Sequence, residues 1–155
     1  MFKALNKLSV RWRDRSLGIL LIRIGTGLVF LMHGWMKVSN LAGAEGMFVG
    51  FGLPAWVGIV IAYLEVIGGI ALILGIATRI FGTAFAIEMF VAIFLAGGIA
   101  AGYRPHELEL FLMLVSAGLA FHGSGKYSLY PLECEHCGAI YCMDPDCPGC
   151  KVKAL

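Results

Sequence analysis

Four stretches of the chain are almost continuously apolar, and short polar links separate them. They run over residues 17–38, 55–77, 79–101 and 107–122. A helix needs roughly 20 apolar residues, at about 1.5 Å each, to cross a bilayer core. The pattern therefore predicts four transmembrane helices, the last one short. Pro54 stands where a helix would begin. The link between the second and third stretches is so short that these two helices must be antiparallel neighbours. Between the first and second lies SNLAGAEGMFVGFGL, residues 39–53, semi-apolar with four glycines. It is too short to span, and is expected at the interface or re-entering shallowly.

Several ionisable residues interrupt the apolar stretches. Arg23, His33 and Lys37 fall in the first, Glu65 in the second, Glu88 in the third and His122 in the fourth. Such groups are costly in hydrocarbon and usually face a bundle interior with a partner. His33 and Lys37 are four residues apart and share a helix face. Depths estimated from the helical rise put Arg23 about 9 Å, and Glu88 about 13 Å, from the same end. This predicts an inner cluster of Arg23, Glu88 and His122, and an outer cluster of His33, Lys37 and Glu65. The functional reading is a pocket that moves protons or holds the head of a lipid-soluble carrier such as a quinone. The alternative is a set of ion pairs that fix helix register. Placement of His33 and His122 near opposite faces argues against a haem held between them.

Composition agrees with the pattern. The chain has 155 residues, 59% hydrophobic and 14% charged, against about 25% charged in ordinary globular chains. Mean hydropathy is +0.85. The net charge of +2 gives no field suited to nucleic acid. The 21 glycines point to close helix packing, although the GxxxG pairs Gly46/Gly50 and Gly98/Gly102 are weak signals in so glycine-rich a chain. Residues 1–16 carry Lys3, Lys7, Arg11, Arg13 and Arg15 against Asp14. They read as a basic interfacial arm or a frayed tail. No A-x-A-like cleavage site follows, so the first stretch is expected to be retained as a membrane helix. Lys and Arg counts at the helix ends place both termini in the cytoplasm.

After Lys126 the composition changes. All five cysteines lie in ECEHCGAIYCMDPDCPGC, residues 133–150. The pairs Cys134/Cys137 and Cys147/Cys150 are each CxxC, with nine residues between them. Four thiolates from two such pairs are what structural zinc takes. Cys142 and His136 are substitute ligands. A single iron or an iron–sulfur cluster is the alternative, since Cys142, Cys147 and Cys150 also read C-x4-C-x2-C. A redox-active dithiol and an inert tail are the remaining readings. The domain plan is thus a basic arm over 1–16, a four-helix bundle over 17–130 and a cysteine-rich cytoplasmic tail over 131–155.

The runs RIGTGLVFLMHGWMK, GFGLP, YLEVIGGIALILGIATR, GYRPHELEL and GSGKYSL resemble the DoxX family of small bacterial and archaeal membrane proteins. The resemblance covers residues 17–130. It implies a four-helix bundle in the prokaryotic inner (plasma) membrane with cytoplasmic termini. It also implies an association with membrane redox chemistry, since relatives belong to terminal quinol oxidase, thiosulfate:quinone oxidoreductase and oxidative-stress complexes. Arg23, His33, Gly34, Lys37, Pro54, Glu65, Gly69, Gly75, Arg79 and Glu109 match the family pattern. Tyr130 replaces a usual aspartate, and the cysteine tail is additional. No catalytic triad, phosphate loop or flavin or nicotinamide fingerprint is present, so no residue is assigned as catalytic. The expected function is a subunit of a quinone-linked redox complex, with the tail metal site for docking. The rival readings are a non-catalytic accessory or assembly subunit and a small transporter or proton pathway.

Overall fold

A computed structural model describes residues 15–95, 106–125 and 127–129. The basic arm up to residue 14 and the cysteine tail lie outside the described residues, as do 96–105 between the last two helices. Among the described residues five helices appear in order: α1 (Arg15–Ser39), α2 (Leu41–Gly50), α3 (Ala55–Leu74), α4 (Thr78–Leu95) and α5 (Glu107–His122). The protein is an all-α membrane protein. Among the described residues three helices, α1, α3 and α4, are long and apolar enough to cross a bilayer. α5 has 16 residues, and it packs lengthwise on α4.

The segment expected at the interface forms a helix of its own. Asn40 starts α2 by accepting a hydrogen bond from the Gly43 amide at 3.1 Å, which satisfies one of the free amides of a helix N-terminus. α2 ends at Gly50, and Gly52 turns the chain with a φ of 79°. Pro54 then opens α3, as its fixed φ and missing amide allow. Gly75 closes α3 in the left-handed conformation, with its amide returning to carbonyls of the last turn. α4 follows at Thr78, antiparallel to α3.

The helices are arranged as two tight pairs, α1 with α3 and α4 with α5. Each pair closes over small residues. A Cβ at Gly27 would lie 2.7 Å from the Gly69 carbonyl oxygen, and one at Gly34 would lie 2.7 Å from the Val66 amide nitrogen. On the other pair, a Cβ at Gly82 would lie 2.9 Å from the Ser116 carbonyl oxygen. Without apolar drive between lipid-solvated helices, such close backbone approach is what holds them together. The two pairs meet through Phe30 and Phe85, whose rings stack at 3.7 Å with a 5° interplanar angle. Phe30, Leu72 and Phe85 are almost fully buried at this junction.

Among the described residues, the glycines that pack are not the ones in GxxxG spacing. Gly46 and Gly50 have nothing within 4 Å of an added Cβ, and Gly98 and Gly102 lie outside the described residues. Gly27→Ala and Gly69→Ala should each destabilise the bundle by about 1–3 kcal/mol through overpacking. Gly25→Ala, which meets open space, should be neutral or stabilising by up to about 1 kcal/mol. Thermal unfolding in one detergent compares all three.

Candidate functional site in the bundle

Two polar sites occupy opposite ends of the same face of α1. Arg23, Phe30 and Lys37 recur at seven-residue spacing, so they share that face. Fourteen residues separate the two cations, about 21 Å along the axis, and the Phe30–Phe85 stack lies between them.

At one end, Arg23 is completely buried and bonds only to carbonyls. Its Nε donates to Leu72 O at 2.9 Å. Its terminal nitrogens donate to Ile73 O at 3.3 Å, to Tyr127 O at 2.8 Å and to Ser124 O. Leu72 and Ile73 are in the last turn of α3, where carbonyls lack helical partners and the dipole favours a cation. The guanidinium thus caps α3 and fastens the segment after α5 to it. The Leu129 amide adds a hydrogen bond to Leu74 O at 3.0 Å.

At the other end, Lys37 reaches Glu65 on α3, with Nζ 2.6 Å from Oε1. Gly34 makes this contact available. It lies one turn before Lys37, and it brings the α1 backbone against Glu65 and Val66. The Glu65 side chain is 2% exposed and that of Lys37 21%. Glu88 on α4 completes the cluster, with its carboxyl beside that of Glu65 and in the field of Lys37. These groups line a cavity of about 570 Å³ between the two helix pairs. α2 and the turn after it form one wall through Phe48, Phe51 and Leu53, and Leu108 and Leu112 of α5 form another. His33 lines the same cavity but is largely exposed.

The inner cluster expected from depth does not assemble. Arg23 is saturated by carbonyls, Glu88 joins Lys37 and Glu65, and His122 is exposed at the end of α5. Depth along a helix says nothing of rotation about it, and rotation decides here. Phe81, Phe85 and Glu88 fall on one face of α4 and Phe85 is at the core, so Glu88 must point inward with it.

Glu109 also lines the cavity. Sequence reasoning matched it to a family pattern without placing it at the site. The signal was its spacing: Glu109, Leu112, Ser116 and Leu119 form one stripe of α5, and the last three are buried. One carboxyl oxygen each of Glu65, Glu88 and Glu109 is buried without a hydrogen-bond partner. Buried acceptors of this kind need an explanation, such as a ligand, a water or a proton. Among the described residues, no three His, Cys, Asp or Glu side chains are arranged to hold a metal ion. Cys134, Cys137, Cys142, Cys147, Cys150 and His136 lie outside the described residues.

The arrangement can donate a hydrogen bond or charge from Lys37, accept at three carboxyls, and seat an apolar ring between phenylalanine and leucine side chains. Comparison with known proteins gives it a family. The chain is 37% identical over 116 residues to "Putative oxidoreductase CatD" of Bacillus subtilis (strain 168), covering 75% of this chain and 87% of that protein. It is 28% identical over 120 residues to "Inner membrane protein YqjF" of Escherichia coli (strain K12), covering 74% of this chain and 90% of that protein. No solved structure gives a significant match. The DoxX family model matches residues 18–98, the span that holds Arg23, the Lys37–Glu65 pair and Glu88, and the chain belongs to that family.

Proposed function

We propose that the protein is an inner-membrane subunit of a quinone-linked redox complex, and that its cavity holds the ring of the quinone. One observation carries this reading: a lysine and two carboxyl groups meet at membrane depth, on the wall of an apolar cavity of about 570 Å³. That volume lies in the range of small-molecule sites, about 300–1,000 Å³. The donor set also fits the ligand class. Lys37 supplies a cationic donor for a ring carbonyl. The unpartnered oxygens of Glu65 and Glu88 supply acceptors for the hydroxyl of the reduced form. A quinone brings two-electron chemistry coupled to protons. The chain's own residues orient the ring, exclude bulk water and hold or release a proton at the Glu65–Glu88 pair. Electrons are exchanged with another subunit of the complex. The relative named as an oxidoreductase supports a redox role.

In this reading α5 is the fourth span. It supplements its 16 residues with the segment to Leu129 that Arg23 holds. Both termini are cytoplasmic, as the basic residues at the helix ends favour. The tail is a docking clip in which Cys134, Cys137, Cys147 and Cys150 hold one zinc ion. The paired CxxC donor set and a reducing compartment both suit this. Metal analysis of the purified protein should then give one zinc per chain, and Cys147→Ser should lose it. A coloured, iron-containing protein would make the tail an electron relay.

The functional test is Glu88→Ala in the membrane complex. Lost quinone-linked activity with assembly intact supports the proposal. Lost assembly makes the protein an accessory subunit whose buried charges fix register.

A further inference from the structure

Glu109 and His106 have no role in the reading so far. His106 stands at the N-cap of α5 and Glu109 three residues on, the spacing at which an N-terminal box would have each side chain bond the other's backbone. That use is not made. The helix start has no side-chain capping hydrogen bond. His106 is 5% exposed, and both of its ring nitrogens are buried without a partner among the described residues. One oxygen of Glu109 is buried and unpartnered in the same way. The N-cap and third helical positions are neighbours at a helix start, and of the two Glu109 stands on the cavity wall with Glu65 and Glu88.

We propose that His106 and Glu109 are the proton entry of the cavity, linking the end of the bundle that carries α2 to the Glu65–Glu88 pair. A neutral imidazole carries one N–H and one bare nitrogen. It can take a proton on one nitrogen and release another from the other nitrogen. His106 receives a proton from outside the bundle and gives one to the Glu109 carboxylate. Glu109 passes it to the Glu65–Glu88 pair across the cavity, through water where the side chains do not touch. After the transfer Glu109 is a carboxylate again and the imidazole is neutral but in its other tautomer, so the ring must turn over before it relays the next proton. Lys37 and His33 are the other titratable groups on the cavity wall. Lys37 is engaged with Glu65, and His33 stands at the exposed side. The route gives the proposed quinone reaction its protons, and in that sense rests on it, but its test does not require a quinone.

The test is hydrogen–deuterium exchange of the protonated-carboxyl infrared band of the purified protein in lipid, after a switch from light to heavy water. Glu109→Gln and His106→Gln should each slow exchange of the remaining band by about tenfold or more, and Glu109→Asp should restore it. Affinity for a short-tailed naphthoquinone, measured separately, should be unchanged in His106→Gln. Wild-type exchange rates in both glutamine variants, or a wild-type protein without a protonated-carboxyl band, would overturn the proposal. Slowed exchange in a protein that binds no naphthoquinone would leave the proton entry standing and remove the quinone.

Discussion

Arg23→Ala is expected to be the most damaging single substitution in the bundle, at about 3–5 kcal/mol. The arginine donates to carbonyls of Leu72, Ile73, Ser124 and Tyr127 and is wholly buried. Alanine leaves those acceptors facing each other around a void. Charged donors contribute about 1.5–3 kcal/mol per hydrogen bond, and the bonds to one guanidinium are not additive. Arg23→Lys should recover little of the loss. An ammonium is a point charge and cannot span carbonyls from two separate segments as a planar fork does. The damage should be local as well as global. Protease access to the segment after α5 should rise before the helices melt, because the Arg23 hydrogen bonds to Ser124 and Tyr127 help to tie it down. Thermal unfolding and limited proteolysis of the same detergent sample check both expectations.

The second large effect is a mismatch between single and double substitutions at the cavity. Lys37→Met leaves Glu65, 2% exposed, beside Glu88 with no cation. The expected cost is about 2–4 kcal/mol. This falls below the range for a fully buried pair because Lys37 is partly exposed. Glu65→Leu should cost less, because Lys37 is partly exposed and keeps Glu88 nearby. The double variant Lys37→Met/Glu65→Leu should regain about 1–3 kcal/mol relative to the sum, since removing both charges also removes both desolvation costs. The double variant should nonetheless lose quinone-linked activity completely. If fold and function separate in this way, the pair is retained for chemistry; if activity returns with stability, it is retained for packing.

Helix positions and the separate nature of the 39–53 segment were legible from apolar run length and Pro54, whereas the antiparallel turn, expected at residues 77–79, falls at 75–77 because Gly75 closes α3 in the left-handed conformation. The pairing of the buried charges was legible only in part. Lys37 and Glu65 could be grouped because the helical rise put Glu65 near mid-membrane and Lys37 just above it, within reach of a long side chain. Glu88 and Arg23 could not, because the register of a helix in depth leaves its rotation free. The phase of the neighbouring apolar residues carried that information: Phe85 three residues before Glu88, and Leu112 three after Glu109. Arg23 misled for a chemical reason. A buried cation invites a search for a carboxylate, yet its partners here are main-chain carbonyls at a helix end, which no residue type in the sequence announces. The close-packed glycines were equally silent. Gly27 and Gly69 meet across two helices, and spacing within one helix does not reveal such a pair.

The most direct test of the cavity as a quinone site is photoaffinity labelling with a short-tailed azidoquinone in lipid, mapped by mass spectrometry. Label is expected on the cavity wall, at Phe48, Phe51 or Leu108, competed away by unlabelled quinone and lost in Glu88→Gln. Label confined to lipid-facing positions such as Phe121, which is 85% exposed, and indifferent to competitor, would contradict it.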